Sequence, residues 1–409
     1  MVQHKTLKLT AFLVASILSS MSYGAGFAII EQSVTGLGRA FAGSAAVAED
    51  ASTIFFNPAG LAYLDKAEMA MAIHYIAPES EFNDDGSTPV GGGNGGDAGK
   101  NAVVPNFYLA YPINDKVVAG IGVGAPFGLV TEYDDTWVGR YHAVKSDMKT
   151  INVNPSISFK ASDKLALGFG INAQYIDVEL TQMAFLAGAD SKVKMEADDF
   201  SWGYNLGFLY QVTDASRVGL SYRSKISHTL EGDGDIIHPT LGTLGTGNIQ
   251  GDIDLPETAS LAIHHQINDQ WAVMADASWT RWDRFQELAI EGSGTFPSST
   301  KEEKWDNSMR YGLGLDYKHD DKWTFRGGIA YDETPISDQY RTARIPGEDR
   351  KWVAIGASYK YSEQFTIDAG YTHIFISDPT INEPSGPVSL TGDYEASVDI
   401  LSVQVRWFI

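Results

Sequence analysis

The residues able to do chemistry are numerous, but their spacing argues against a reaction centre. The chain has nine His, 52 Asp and Glu, 30 Lys and Arg, and no Cys. Thiolate chemistry and a disulfide framework are therefore excluded. Imidazoles and carboxylates act as metal ligands or acid–base pairs only where several converge. His264 and His265 are adjacent, so on a strand they face opposite sides and share nothing. The chain contains neither a Gly-x-Ser-x-Gly elbow nor a His-Glu-x-x-His helix. Gly36-x-Gly38 could open a dinucleotide loop, but no strand precedes it and no βαβ unit or acidic partner follows. No metal or cofactor is expected, and the protein is not expected to be an enzyme. Asp276, Arg310, Asp316, Arg326 and Asp368 share the polar face of alternating segments. Charges in partly buried places are usually paired, so they are expected to form an internal ion-pair network.

Alternation defines the elements that must position these charges. Trp271, Val273, Ala275, Ala277 and Trp279 share one face, with Asp276, Ser278 and Thr280 on the other. Tyr311, Leu313, Leu315 and Tyr317 repeat the pattern, as do Phe365, Ile367, Ala369 and Tyr371, and Leu401, Val403, Val405 and Trp407. Fourteen such strands are predicted, at 67–77, 102–113, 116–131, 148–160, 164–180, 199–212, 216–230, 252–267, 270–288, 308–319, 322–333, 350–361, 364–378 and 394–409. Tight Asn- and Asp-rich turns, such as Ile113-Asn114-Asp115-Lys116 and Ile267-Asn268-Asp269-Gln270, alternate with longer loops. Aromatics gather at the ends of the apolar faces. Short turns at one end, long loops at the other and aromatic girdles describe an antiparallel transmembrane β-barrel. The even strand number puts both ends of the barrel, and hence both termini, on the periplasmic side.

Residues 1–24 read as an export leader. Lys5 and Lys8 precede a short apolar run from Leu9 to Leu18, and Ser22-Tyr23-Gly24 offers a small-x-small cleavage pattern. That run is too short to span a bilayer, and no later run is long enough for a transmembrane helix. Losing the two lysines takes the net charge from −22 to −24. Such a balance excludes nucleic acid and anionic membrane surfaces as partners. The expected location is the outer membrane of a Gram-negative bacterium.

Residues 25–66 fit no strand. A fourteen-stranded barrel is wider than the filled eight-stranded ones, so its lumen would leak unless blocked. The expected domains are a leader (1–24), a lumenal plug or hatch (25–66) and the barrel (67–409). Strand 3 is the irregular stave, carrying Gly120, Gly122, Gly124, Pro126 and Gly128. Pro lacks the N–H that a ladder needs and Gly permits a bend, so a kink is expected at Pro126, Phe127 and Gly128. The alternative is that these glycines only let plug side chains fit against the wall.

The mature start Ala25-Gly26-Phe27, the stretch Gly36-Leu37-Gly38-Arg39-Ala40 and Asn57-Pro58-Ala59 resemble the N-terminal hatch of the FadL-type long-chain fatty acid transporters. Further matches are Val104-Pro105-Asn106, the segment from Phe127 to Tyr133, Trp202-Gly203-Tyr204-Asn205, Leu255-Pro256-Glu257, the segment from Trp323 to Ala330, and Pro346 to Arg350. The resemblance covers essentially the whole mature chain. It departs at the C-terminus, where Ile409 follows the aromatic pair Trp407-Phe408.

The resemblance implies passive uptake of a hydrophobic molecule by capture at outer loops, passage through an internal apolar pocket and sideways exit at a strand-3 kink touched by Asn57, Pro58 and Ala59. The expected ligand is a long-chain fatty acid or a similar hydrophobic small molecule, with outer-membrane lipid around a monomer. Candidate capture residues are Trp137, Tyr141, Met183, Phe185 and Leu186, because apolar loop residues suit contact with something apolar. Mutual packing of the loops is the alternative. An anionic headgroup would need a local cation, and Arg310 and Arg326 lie on adjacent strands. Alternative functions are uptake of aromatic or alkane hydrocarbons, or a lipid hydrolase, which would need a Ser and a His meeting near the outer rim.

Overall fold

A computed structural model describes residues 26–88 and 91–409. The leader lies outside the described residues. The strand segments are β1 (Glu68–Asp84), β2 (Ala102–Asn114), β3 (Val117–Gly124), β4 (Gly128–Glu132), β5 (Lys145–Lys160), β6 (Leu165–Leu186) and β7 (Ala189–Thr213). Next come β8 (Ser216–Arg223), β9 (Ile226–His238), β10 (Gly242–Leu255), β11 (Thr258–Gln266), β12 (Trp271–Thr280), β13 (Glu287–Gly292) and β14 (Ser299–Glu302). The chain ends with β15 (Ser308–Lys318), β16 (Trp323–Asp332), β17 (Arg350–Lys360), β18 (Phe365–Ile376), β19 (Thr380–Ser385) and β20 (Val388–Phe408). Each stave pairs antiparallel with the next. β1 then pairs with β20, from Glu68 opposite Phe408 to Asp84 opposite Gly392, and closes the ring. β3 and β4, β8 and β9, and β10 and β11 each continue one stave across a break, and β13, β14 and β19 add no stave of their own, so the barrel is fourteen-stranded.

Period-2 patterning explains the wall. In β1, Met71, Ile73 and Tyr75 face outward while Ala70, Ala72 and His74 are buried. In β6, Leu167, Phe169 and Ile171 are exposed and Ala166 and Asn172 are buried. Only lipid outside the barrel makes an apolar exterior favourable. Aromatic pairs ring the short-turn end: Trp271–Tyr317, Trp323–Tyr359 and Phe365–Trp407, with centroids 4.5, 4.6 and 6.0 Å apart.

The strands overrun the predicted bounds at the long-loop end. Residues 181–198, expected as a loop, are the upper parts of β6 and β7, joined through Ala187 and Gly188 at φ 47° and 88°. Residues 231–251 are likewise upper β9 and β10, and the loops near 289–307 and 379–393 contain β13, β14 and β19. Above the bilayer both strand faces can be polar. The hydrophobic alternation that marks a strand is lost there while backbone pairing continues.

The plug is built of short pieces: α1 (Val34–Leu37), α2 (Ser44–Val47), α3 (Thr53–Phe56) and a 3-10 turn (Pro58–Tyr63). Ser33 Oγ accepts from Gly36 N at 3.1 Å, and Asn57 Oδ1 from Ala59 N at 3.1 Å, capping α1 and the 3-10 turn. Helices this short have no stability of their own, so the wall must hold them. α1 touches β17, β18 and β20; α2 touches β8, β11 and β12; the 3-10 turn touches β5, β6 and β7. The plug therefore spans the lumen from side to side. Wall glycines allow close approach: a Cβ on Gly219 would lie 1.9 Å from Ala45 O, and one on Gly168 2.1 Å from Ala59 N.

The expected internal charge network is present, with Arg310 3.7 Å from Asp276, Arg326 3.9 Å from Asp316 and Asp368 2.9 Å from Arg406, and the plug joins it. Arg39 of the plug meets Glu49 at 2.5 Å and Asp316 at 2.8 Å, and Arg326 meets Glu49 at 2.7 Å. Arg310 reaches the Ala40 carbonyl, and Asp276 accepts from Gly43 N at 3.0 Å. Burial opposes the charge on Glu49, but Arg326 and Arg39 hold its carboxyl well below the usual carboxylate range.

Candidate functional site

The predicted kink in strand 3 is a complete break. β3 pairs with β2 up to Val123 opposite Phe107 and with β5 up to Gly124 opposite Asn152. Pairing resumes with Gly128 opposite Lys149, shifted by one residue and on the β5 side only. Residues 102–106 of β2 consequently pair with β1 alone. Buried backbone groups need partners, and the plug supplies them. Ile29 N donates to Pro126 O at 2.8 Å, Gly128 N to Phe27 O at 3.0 Å, and Gln32 Nε2 to Ala125 O at 2.8 Å. Thr150 Oγ1 satisfies Phe127, accepting from its N at 3.0 Å and donating to its O at 2.6 Å. Asn106, on the free edge of β2, donates to Glu31 O at 2.8 Å.

Phe27, placed by this N-terminal pairing, sits in an aromatic cluster. Its ring lies 4.7 Å from Trp282, 5.6 Å from Trp305, 5.7 Å from Phe285 and 6.1 Å from Phe127, centroid to centroid. Gly26 is at φ +63°, and a Cβ there would lie 2.5 Å from the Trp305 ring, so only glycine fits under this cluster.

The cluster divides two chambers. The first, about 830 Å³, opens toward the long-loop end and is almost wholly apolar. Phe27 forms its floor, and Leu129, Met148, Leu230, Ile253 and Ile345 line its sides. Polar atoms enter only from Ser146, Gln250, Asp252, Glu303, Arg344 and the Gly251 segment. Arg344 donates to Gln182 Oε1 at 2.7 Å, Ser146 Oγ at 3.1 Å and Lys145 O at 3.2 Å. Burial pulls Arg344 below its usual range, with Glu383 and Glu303 opposing. The second chamber, about 1010 Å³, lies between the plug and the broken strand. Phe55, Phe56, Pro126, Phe127 and Trp282 line one part of it, and Glu31, Arg223, Arg310 and Asp332 another. An amphiphile of mixed polarity fits such a surface, and the first chamber suits an apolar tail.

A protein-family model described as "Outer membrane protein transport protein (OMPP1/FadL/TodX)" matches residues 15–408. The chain belongs to this family. It is 29% identical to a long-chain fatty acid transport protein of Escherichia coli O6:H1 over 94% of each chain. It is 31% identical to the outer membrane protein P1 of Haemophilus influenzae, over 91% of this chain and 90% of that one. A crystal structure of a Pseudomonas aeruginosa FadL homologue superposes with a TM-score of 0.87 at 27% identity, covering 94% of this chain and 99% of that one. The Pseudomonas putida toluene transporter TodX superposes at 0.74 and 16% identity, over 95% of this chain and 99% of that one, and shares the fold. This FadL-family chain is an outer-membrane protein of a Gram-negative bacterium.

Several expected site residues lie elsewhere in the barrel. Pro58 lines the second chamber together with Pro126 and Phe127, but the side-chain bonds of Asn57 go elsewhere. Asn57 Nδ2 donates to Ala45 O at 2.6 Å and to Phe208 O at 3.1 Å, docking the plug on β7. Gly207 makes room there, since its Cβ would fall 2.1 Å from Asn57 Oδ1. The residues that meet the break are Phe27, Ile29 and Gln32. Pro126, Phe127 and Gly128 do form it. Gly120 and Gly122 serve the alternative reading: each faces Ile54 of the plug, which a Cβ would approach to 2.7 and 3.1 Å.

The capture residues divide in the same way. Trp137 is fully buried, stacked on Tyr133 at 3.9 Å, with its Nε1 donating to Ala143 O at 2.7 Å. It holds loops together and cannot receive a ligand from outside. Tyr141 is tied to Asp190 at 2.6 Å. Phe185 and Leu186 are exposed at the β6–β7 tip, and Met183 is half-buried below them. Of the two proposed cations, Arg310 lines the second chamber, whereas Arg326 is committed to Glu49 and to Ser358 at 2.5 Å and lines neither. Phe27, Glu31, Trp282, Trp305 and Arg344 were not singled out from the sequence. Only Phe27 carried a signal, its place in the hatch-like start.

Proposed function

We propose that this FadL-family barrel passively carries long-chain fatty acids or similarly hydrophobic molecules inward across the outer membrane. The ligand is collected near the exposed Phe185 and Leu186 at the long-loop end and settles its tail in the first chamber. Arg344 at the polar edge faces a carboxylate headgroup. Movement of the Phe27 ring joins the chambers, and the ligand passes Arg310 to leave sideways between β2 and β4. The observation carrying this reading is the strand-3 break, whose backbone bonds on the β2 side are held by the N-terminal segment of the plug rather than by β2. The transport names of the relatives support the ligand class.

The near absence of polar atoms from the first chamber favours a second ligand, a hydrocarbon without a headgroup. Mass spectrometry of lipid co-purified in detergent separates the two. A carboxylate lipid bound one to one supports the first, and only hydrocarbon or no ligand removes it. Uptake of a fluorescent long-chain fatty acid by cells making the protein tests transport itself.

A further inference from the structure

Glu31 is a plug carboxylate that the transport route as described does not use. It is 1% exposed, lines the second chamber, and hangs from a backbone carbonyl held by Asn106 at the free edge of β2. Its Oε2 meets no hydrogen-bond donor among the described residues. Arg310 lines the same chamber at 6% exposure, anchored by the Ala40 carbonyl and 3.7 Å from Asp276, while its Nε meets no acceptor among the described residues. An unpaired buried acid and an incompletely satisfied buried guanidinium are costly unless a ligand completes them.

We propose that Glu31 hands its proton to the ligand's carboxylate in the second chamber, so that the molecule enters the hydrocarbon as a neutral acid. This rests on the fatty acid reading and the sideways route above. The O–H bond of the Glu31 carboxyl breaks as an O–H bond forms on the ligand carboxylate, with no change of oxidation state. Glu31 is left as a carboxylate facing Arg310 and Arg350, and a proton from bulk water restores it. The driving force is electrostatic. Two carboxylates in one poorly solvated chamber cannot both stay ionised, so the pair shares a single proton. A neutral carboxyl then enters lipid far more cheaply than an anion does.

The groups around Glu31 are suited to this exchange. Burial pushes its carboxyl up to about 7, opposed by its own backbone N–H, Arg350 and Arg310, and assisted by Asp332. Arg223 is the remaining charged group lining the chamber. Near neutral pH Glu31 is thus divided between donor and acceptor forms.

The test uses full-length barrel in detergent and in cells, with cis-parinaric acid and its alcohol as probes. Calorimetry at pH 8 in two buffers of different ionisation enthalpy should show wild type taking up about one proton more per acid bound than Glu31→Gln, the difference removing what Glu303 of the first chamber contributes to both. Uptake of the acid by wild type should fall severalfold from pH 6 to 8.5. Glu31→Gln should flatten that profile and slow uptake at pH 6, Glu31→Asp should restore it, and the alcohol should enter equally in all three. A Glu31→Gln protein that migrates as folded barrel yet keeps the wild-type proton uptake and pH profile overturns the proposal. Wild type that carries neither probe overturns the transport reading beneath it instead, and the proposal with it.

Discussion

Single side chains hold the plug and tune the upper chamber. Asn57 bridges plug and wall with both halves of its amide, donating to Ala45 O and Phe208 O and accepting from Ala59 N. Asn57→Ala leaves two buried carbonyls without that donor, at about 1–3 kcal/mol. The expected result is a lower unfolding midpoint and a leakier lumen in liposome swelling, with strand content unchanged. Unaltered permeability would show that the β7 contact does not seat the plug. Glu303 offers a pH test. Burial, with the Glu383 charge beside it, pushes its carboxyl from an ordinary 4.5 up to about 8. Between those values the folded protein binds the proton that the unfolded chain has lost, so this group lowers stability as pH rises through that window. Glu303→Gln should therefore raise the unfolding midpoint at pH 8 by a few degrees and hardly change it at pH 4. An equal effect at both pH values would assign the gain to something other than titration.

The decisive element is the broken third stave. Pro126 removes one ladder N–H, and the plug's Phe27–Ile29 pairing satisfies what remains. Replacing Pro126 with Thr and Gly128 with Val restores a donor and strand propensity, favouring continuous pairing with β2. The double variant should be at least as stable as wild type and should still bind ligand at its outer end. Fatty acid uptake should collapse; if a correctly inserted double variant transports normally, the sideways route is wrong. Phe27→Ala tests the partition from the other side. Emptying the centre of the aromatic cluster costs about 3–5 kcal/mol of packing and joins the two chambers. Faster ligand uptake with little change in small-solute leakage is expected, since residues 34–63 still fill the lumen. Slower uptake would mean that Phe27 guides the ligand rather than blocks it.

At the scale of the molecule, wall and plug are separable. Outside the strand-3 break, the wall satisfies its own backbone through antiparallel pairings around fourteen staves, closed by β1 and β20. Deleting residues 25–62 should leave a barrel that is β-rich by circular dichroism and heat-modifiable on gels. It should admit small solutes in a swelling assay, because Arg310, Arg326 and Asp316 would then face water instead of the plug. A deleted barrel that stays impermeable would assign the seal to the outer loops.

The sequence by itself determined the wall, the existence of a plug and the place where strand 3 fails. These follow from local signals: period-2 alternation, Asn and Asp turns, and a Pro among glycines that no ladder accommodates. The resemblance added the family, but the bonds that fill the strand break lie between Phe27, Ile29 and residues about 100 positions away. Only the tertiary structure decided which residues meet inside. Arg344 comes from a loop, Leu230 from β9 and Met148 from β5, and they share a chamber because the staves tilt and stagger as the ring closes. Asn57 and Trp137 show the same limit. An Asn beside a Pro and a Trp in a long loop read as gate and lure, yet one docks on β7 and the other is sealed under Tyr133. Alternation tells which face a residue is on, but not what stands opposite it across the lumen. That depends on barrel shear and on where the plug settles, and both are properties of the closed ring.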